Sequence, residues 1–291
     1  MSEKSFFKKA AKAIADATHV IIGAGAGLSE ASGIEMGGRL FHEQFRDYQQ
    51  KYGIQDLYSG GFYPFPTEEE RWAFWARHIW LSRYKAGGTP LHRDLLELVK
   101  DKSYFVISTN CDSQFVLSGF PEDRVFQVQG DLSEFQCSIP CHQKVYRNED
   151  AVKRMVENTH GFCIPSDLLP RCPVCGKPMS MHLRMDNTFV EDETWHERST
   201  AYQEFLEQVM AHKPVLLELG VGFNTPGIIR YPFERIAAAN PEAMLIRVNK
   251  ENAEASYIDL TNILSIQEDL KVTIDKLKRL IMKITVFDRE L

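Results

Sequence analysis

The chain has 291 residues, of which 44% are hydrophobic, enough to bury one large core or two modest ones. A formal net charge of -6 and the lack of any Lys/Arg cluster exclude the electrostatic footprint of a nucleic-acid-binding protein. No apolar run approaches the roughly 20 uninterrupted residues that span a bilayer, so no membrane role is expected. The N-terminal "MSEKSFFKKAAKAIADATHV" carries charges where the apolar stretch of a signal peptide would lie, and Phe6, Phe7, Ala10 and Ile14 recur at helical spacing. That pattern predicts an amphipathic first helix and a cytoplasmic protein.

A β-rich run, "HVIIGAGAG", follows and ends in glycines. Similar strand candidates stand at 104–109 ("YFVIST"), 124–129 ("RVFQVQ"), 214–220 ("PVLLELG") and 243–249 ("AMLIRVN"). Helical patterns separate them, in "LHRDLLELVK", "AYQEFLEQVMAHK", "FERIAAAN" and "DLKVTIDKLKRLIMKI". Strands alternating with helices, several of them nearly all apolar, predict an α/β fold: a doubly wound parallel sheet covered on both faces. Two stretches break the alternation and are expected as insertions in a single catalytic unit of residues 1–291. Residues 36–88 are aromatic-rich and helical, with Trp72, Trp75, Ile79 and Trp80 spaced to pack. Residues 131–190 hold five of the six cysteines.

Cys137 and Cys141 in "CSIPC", with Cys172 and Cys175 in "CPVCG", are two pairs spaced to grip one metal ion, and together complete a tetrahedral zinc site. Four unrelated buried thiols or a redox pair are the alternative. With no ligand position left open, such a zinc would be structural. Cys111 and Cys163 are left over and read as ordinary buried thiols.

"GAGAGLSEASGI" leads from a strand into a predicted helix, a place where a backbone of Gly23, Gly25 and Gly27 can approach a pyrophosphate. The strict dinucleotide fingerprint fails, because Leu28 stands at the third glycine position, and so does the Walker loop. A plain glycine-rich turn is the alternative. "STNCDSQ" lies at the carboxyl end of a strand candidate, where α/β folds place ligand contacts, and offers the Asn110 amide and the Asp112 carboxylate. An Asx-type turn would use the same residues.

In this order the motifs resemble those of the sirtuins. "GAGLSEASGI" is similar to the family's G-A-G-x-S-x-x-S-G-I, "STNCD" to T-Q-N-x-D, and "GVGFNTP" to G-T-S-x-x-x-x-P, while Asn249 stands for a late strand-end asparagine. "TPLHRDLLEL" resembles a family helix start, and the cysteine pairs fall where the family carries its zinc module. The likeness covers nearly the whole chain. It implies a Rossmann-like sheet with an NAD site in its crevice, with zinc held by Cys137, Cys141, Cys172 and Cys175. Gly23, Ala24, Gly25, Ala26 and Ser29 would lie toward the pyrophosphate, Gly220 and Gly222 toward the phosphates, and Asn249 on the adenosine ribose. Asn110 would face the nicotinamide ribose and Asp112 the carboxamide.

The departures from the pattern point to the chemistry. Deacylating sirtuins carry a histidine base before the glycine of the fourth motif, and here Gln129 fills that position. A glutamine amide can hydrogen-bond a ribose hydroxyl but has no basic lone pair near pH 7. Nicotinamide loss should survive and the second step of deacylation should fail, unless a distant histidine such as His182 moves in. The family's P-x-F-R becomes "EMGGR", which removes a shielding phenylalanine and leaves Arg39 either to reach a phosphate or to stand in solvent. The acyl-peptide loop becomes "RMDNTFVEDETWH", where Arg184 would assist at the reacting ribose or form a surface salt bridge.

These losses resemble the macrodomain-linked class M sirtuins. That resemblance implies an NAD-dependent protein mono-ADP-ribosyltransferase, with Asn110, Gln129 and Arg184 as the catalytic residues. Its acceptor would be a lipoylated carrier related to glycine cleavage H protein, with a macrodomain protein as companion and Glu191, Asp192 and Glu193 to orient the partner. The rival expectations are a deacylase with a different base and an NAD sensor that hardly cleaves its ligand.

Overall fold

A computed structural model describes residues 3–254 and 258–287. Helix α1 (Glu3–Asp16) leads into β1 (His19–Ala24) and α2 (Ala26–Ala31). Four helices follow: α3 (Arg39–Gln44), α4 (Arg46–Tyr52), α5 (Leu57–Gly61) and α6 (Glu68–Ile79). The last of these continues as a π-helical turn over Trp80–Tyr84. Next come α7 (Pro90–Val99), β2 (Ser103–Ser108), α8 (Gln114–Leu117), β3 (Val125–Gln127), β4 (Gly130–Cys137), β5 (Val145–Arg147) and α9 (Glu149–Glu157). The chain ends through β6 (Met179–Leu183), α10 (Glu193–Met210), β7 (Val215–Leu219), α11 (Arg230–Ala239), β8 (Met244–Val248), β9 (Ile263–Ile266) and α12 (Leu270–Phe287).

Six strands form one sheet in the order β3-β2-β1-β7-β8-β9, and every pairing is parallel. Because side chains alternate across a strand, the sheet divides its apolar residues between two layers. Val20, Ile22, Val106, Leu217 and Ile246 face α1, α7 and α12, where Ile14, Leu95, Ile274 and Leu277 meet them. Ile21, Phe105, Ile107, Leu216 and Leu245 face α10 and α11, where Tyr202, Phe205 and Phe233 meet them. The helices start where local chemistry lets them. Thr89 caps α7 with Pro90 in its first turn, Thr67 accepts the Glu70 N–H at the start of α6, and Asp192 accepts that of Trp195 at the start of α10.

A three-stranded antiparallel sheet, β5-β4-β6, stands apart from the first. The strand expected over 124–129 ends early, at Gln127, and the chain crosses to this second sheet at Gly130. Gly130 has φ 97, and a Cβ there would lie 2.0 Å from the His182 carbonyl oxygen, so only glycine makes the crossing. The aromatic helices and the cysteine-rich stretch share one core. Phe41, Phe45, Tyr48, Trp72, Phe74 and Trp75 from α3, α4 and α6 pack with Phe135, Met155, Ile164 and Met181, and the Trp72 and Phe135 rings stand edge to face at 4.9 Å.

Candidate functional site

The strand order reverses between β1 and β7, so a crevice opens beyond their carboxyl ends, the usual ligand position in open α/β sheets. Two glycine-bearing loops meet there. The Gly25 N–H donates to the Leu219 carbonyl at 3.0 Å and the Gly27 N–H to that of Gly220 at 3.1 Å. A Cβ on Gly25 would come 2.7 Å from the Gly220 oxygen, and one on Gly220, where φ is 62, would come 2.6 Å from the Gly27 carbon. These glycines therefore let two strand-end loops touch each other. Gly23 lies inside β1, where a Cβ would strike Ile229 and Phe233, and Ala24 belongs to the apolar core. Gly222, by contrast, faces open space.

The loop after β2 is moored to this crevice. The Thr109 N–H donates to the Ala24 carbonyl at 3.0 Å, and the Asn110 amide donates to the Gly25 carbonyl at 2.9 Å. Asp112 is buried and accepts from the Ser29 hydroxyl and, at 3.1 Å, from the Gln114 N–H. Burial pushes its carboxyl pKa up, against the pull of those donors. On the far side of the crevice, the Asn249 amide donates to the Val221 carbonyl at 3.0 Å, while its oxygen accepts the Glu251 N–H at 3.1 Å.

Gln129 occupies the crossing between the two sheets. Its carbonyl accepts the Arg184 N–H at 3.0 Å and faces the Cys111 thiol at 3.5 Å. Its side-chain Oε1 is buried with no protein partner. Gly25, Ser29, Asn110, Asp112, Gly220 and Asn249 are thus bridged to one another around one crevice, with Gln129 beside Cys111 at its edge. Ala26 and Gly222 lie on the same two loops.

Other expected members lie elsewhere or are engaged. Arg39 is at the surface, paired with Glu43 at 2.8 Å, with 88% of its side chain exposed. The Arg184 guanidinium turns outward over the Phe189 ring at 4.1 Å and pairs with Glu191 at 2.7 Å. With Glu191 so paired and Asp192 capping α10, the acidic stretch offers a partner less charge than its sequence suggests. His182 is buried, with Nδ1 3.0 Å from Glu134 and Nε2 2.9 Å from the Val190 carbonyl, which holds it away from any role as a mobile base.

The sulfurs of Cys137, Cys141, Cys172 and Cys175 lie within 4.8 Å of one another. Cys137 to Cys175 and Cys141 to Cys172 each measure 3.7 Å. A tetrahedron with metal–sulfur bonds of ~2.3 Å has edges of ~3.8 Å, so the cluster has the dimensions of a zinc site. Gly176, at φ 69, turns the chain so that its N–H meets the Cys172 carbonyl at 2.9 Å. Cys111 is half-buried and Cys163 is exposed, which corrects the expectation that both are buried; Cys163 follows Phe162 in a short turn that pairs back to His160.

Sequence reasoning missed a buried ion network under the crevice. Arg247 donates to Glu218 at 2.8 and 2.9 Å and to Glu234 at 2.8 Å. Arg230 stands 3.4 Å from Glu218 and donates to the carbonyls of Val221 at 3.1 Å and Asn252 at 2.6 Å. The signal was present: Glu218 and Arg247 are single charges inside apolar strands, and they are register partners in β7 and β8.

No protein-family model matches the chain. A protein ADP-ribosyltransferase of Staphylococcus aureus is 35% identical over 240 residues, which is 82% of this chain and 76% of that protein. A Fusarium oxysporum protein named for a bifunctional ADP-ribose hydrolase/ADP-ribosyltransferase is 31% identical over 247 residues, 81% of this chain but only 41% of that protein. Among solved structures, a Sir2 homolog–NAD complex superposes with a TM-score of 0.61 at 15% identity, covering 95% of this chain and 94% of the other. An ADP-ribose complex of a Sir2 homologue gives a TM-score of 0.60 at 15% identity, with 98% of each chain covered. The fold is therefore that of the Sir2 enzymes, and the chain belongs to the family of the Staphylococcus aureus protein ADP-ribosyltransferase.

Proposed function

We propose that this chain is an NAD-dependent ADP-ribosyltransferase that modifies a protein acceptor and releases nicotinamide. The observation that carries the proposal is Gln129. An amide stands where deacylating sirtuins hold a histidine base, and its buried Oε1 has no protein partner. A buried acceptor left unpaired is costly, and a ribose hydroxyl would satisfy it. The amide cannot take the hydroxyl's proton, so the chemistry that follows nicotinamide loss in deacylation has no base here.

The crevice suits NAD, which supplies the ADP-ribosyl group and a neutral leaving group. Gly222 leaves open space beside the phosphates, and Asn249 ties down the loop for the adenosine ribose. Asn110 and Gln129 orient the hydroxyls of the reacting ribose, and Asp112, fixed by Ser29, meets the carboxamide. Fixed dipoles in a dry site stabilise the developing positive charge more than water would. The acceptor's nucleophilic atom bonds to the ribose carbon that nicotinamide leaves, and its proton passes to solvent. Arg184, adjacent to Gln129 through its backbone, brings its charge to bear when the acceptor displaces Glu191.

The acceptor we favour is a lipoylated carrier related to glycine cleavage H protein. The altered "EMGGR" and "RMDNTFVEDE" stretches lie where an acyl-lysine would otherwise bind, and they suit a larger partner. The name of the Fusarium relative joins hydrolase and transferase, which supports a macrodomain-type hydrolase as companion.

Incubating the protein with NAD and a purified carrier, then weighing the carrier by mass spectrometry, tests this. The lipoylated form should gain ADP-ribose and the unlipoylated form little or none; equal labelling of both discards the lipoyl requirement. Asn110→Ala should lower transfer about tenfold, equivalent to ~1.4 kcal/mol of transition-state stabilisation, and Gln129→Ala should weaken it too. Parental rates in both variants would move the site elsewhere. Deacylated product from acyl-lysine peptides would restore the deacylase, and absence of nicotinamide release would leave an NAD sensor.

A further inference from the structure

Asp131 lies two residues beyond Gln129, and none of the recognised motifs includes it. Its carboxylate accepts four hydrogen bonds: from the Ser113 hydroxyl at 2.6 Å, the Gln127 amide at 2.9 Å, and the Ser133 N–H and hydroxyl at 2.7 Å each. The Arg83 guanidinium, at the end of the π-helical turn, stands 3.8 Å away. The donors come from separate stretches: the loop that carries Asn110 and Asp112, the end of β3 just before Gln129, and the start of β4 just after it.

Ser113 is the informative donor. It has φ 56, the only non-glycine residue with positive φ among those described, and it is buried. A serine stays in the left-handed region only where its surroundings over-determine it. Here the hydroxyl is held by Asp131, and the Ser113 carbonyl accepts the Leu117 N–H at 3.0 Å to begin α8. On its other side the same loop is tied to Gly25 and Ser29 through Asn110 and Asp112. The loop therefore has one mooring toward β1 and a second toward the crossing that bears Gln129.

We propose that Asp131 is a positioning residue: it locks the Asn110–Gln114 loop to the turn carrying Gln129 and so sets the spacing between the two amides. The catalytic consequence rests on the proposed role of Asn110 and Gln129 at the reacting ribose; the mechanical coupling does not. A carboxylate is suited to this task because it only accepts and has about four lone-pair sites to share among its donors.

Ser113→Gly separates positioning from folding, since glycine adopts a positive φ without strain while the hydroxyl tether is lost. In hydrogen-exchange mass spectrometry of the metal-loaded protein, segments 108–116 and 124–132 should both exchange about tenfold faster, with β7 and β8 unchanged. Faster exchange confined to the first segment, or in neither, overturns the coupling. That measurement needs no activity, so it stands even if the protein releases no nicotinamide, a result that would refute the transferase proposal alone. With activity present, Ser113→Gly and Asp131→Asn should each lower kcat for nicotinamide release about tenfold while KM for NAD stays within roughly twofold. A KM rise matching the kcat loss, or a lower melting temperature in Ser113→Gly, would make the carboxylate a structural residue and overturn the positioning role.

Discussion

Glu218→Ala should cost about 3–5 kcal/mol of stability, because it removes a carboxylate that pairs with two fully buried guanidinium groups. The penalty is less the value of the lost ion pairs than the cost of leaving the buried Arg230 and Arg247 without the carboxylate they share. For a domain of this size that corresponds to a fall in melting temperature of roughly 6–20 °C. The effect should also reach the crevice. Arg230 holds the carbonyls of Val221 and Asn252, on the two loops that Asn249 also joins, so NAD binding should weaken with the fold still intact at low temperature. Lys213→Ala, which breaks the exposed pair with Glu242, should leave the melting temperature almost unchanged, because surface pairs contribute little. If calorimetry found the two variants equally stable, the buried network would have no special weight.

Removing the metal is the second large effect. Structural zinc in small modules binds with about 10–16 kcal/mol of free energy, which is folding free energy. Cys172→Ser should therefore yield poorly soluble protein with little zinc, and chelation of the parent should unfold residues 131–190. The shared core extends this expectation: Trp72 packs on Phe135, and Phe162 stands edge to face with Tyr48 at 5.1 Å. Limited proteolysis after chelation should consequently open α3 to α6 as well as the cysteine-rich stretch, while β1, β2, β7 and β8 resist. A Cys172→Ser protein with its full metal content and the parent's melting temperature would sink the assignment of these thiols to zinc.

The central strands were legible because each is a short apolar run bounded by turn chemistry, and the principal helices because their apolar residues repeat at helical spacing. β9 escaped notice because four residues containing a serine, "ILSI", carry too little pattern. The strands β4 to β6 escaped because β5 is only three residues long, β4 and β6 mix polar residues into short runs, and their pairing is fixed by the core they share with distant helices. At the site, the placement of Asn110 and Asp112 on the loop after β2 could be read from motif position. The mutual packing of Gly25, Gly27 and Gly220 could not, since a glycine pattern does not say whether a ligand or a second loop approaches. Nor could the four donors gathered by Asp131, which meet only after the chain has crossed from one sheet to the other.

The common core of the aromatic helices and the antiparallel sheet has a consequence for synthesis. Residues 41–81 emerge from the ribosome about 100 residues before Met181 and Leu183 can cover them. At roughly 5–20 residues per second, a surface bearing Phe41, Phe45, Trp72 and Phe74 waits on the order of 5–20 s for its partner. During that interval the growing chain offers chaperones a large aromatic target, and the cysteines that gather the second half of the core are still being made. Elongation speed and, once Cys175 has been made, metal supply together set how long the nascent chain stays sticky.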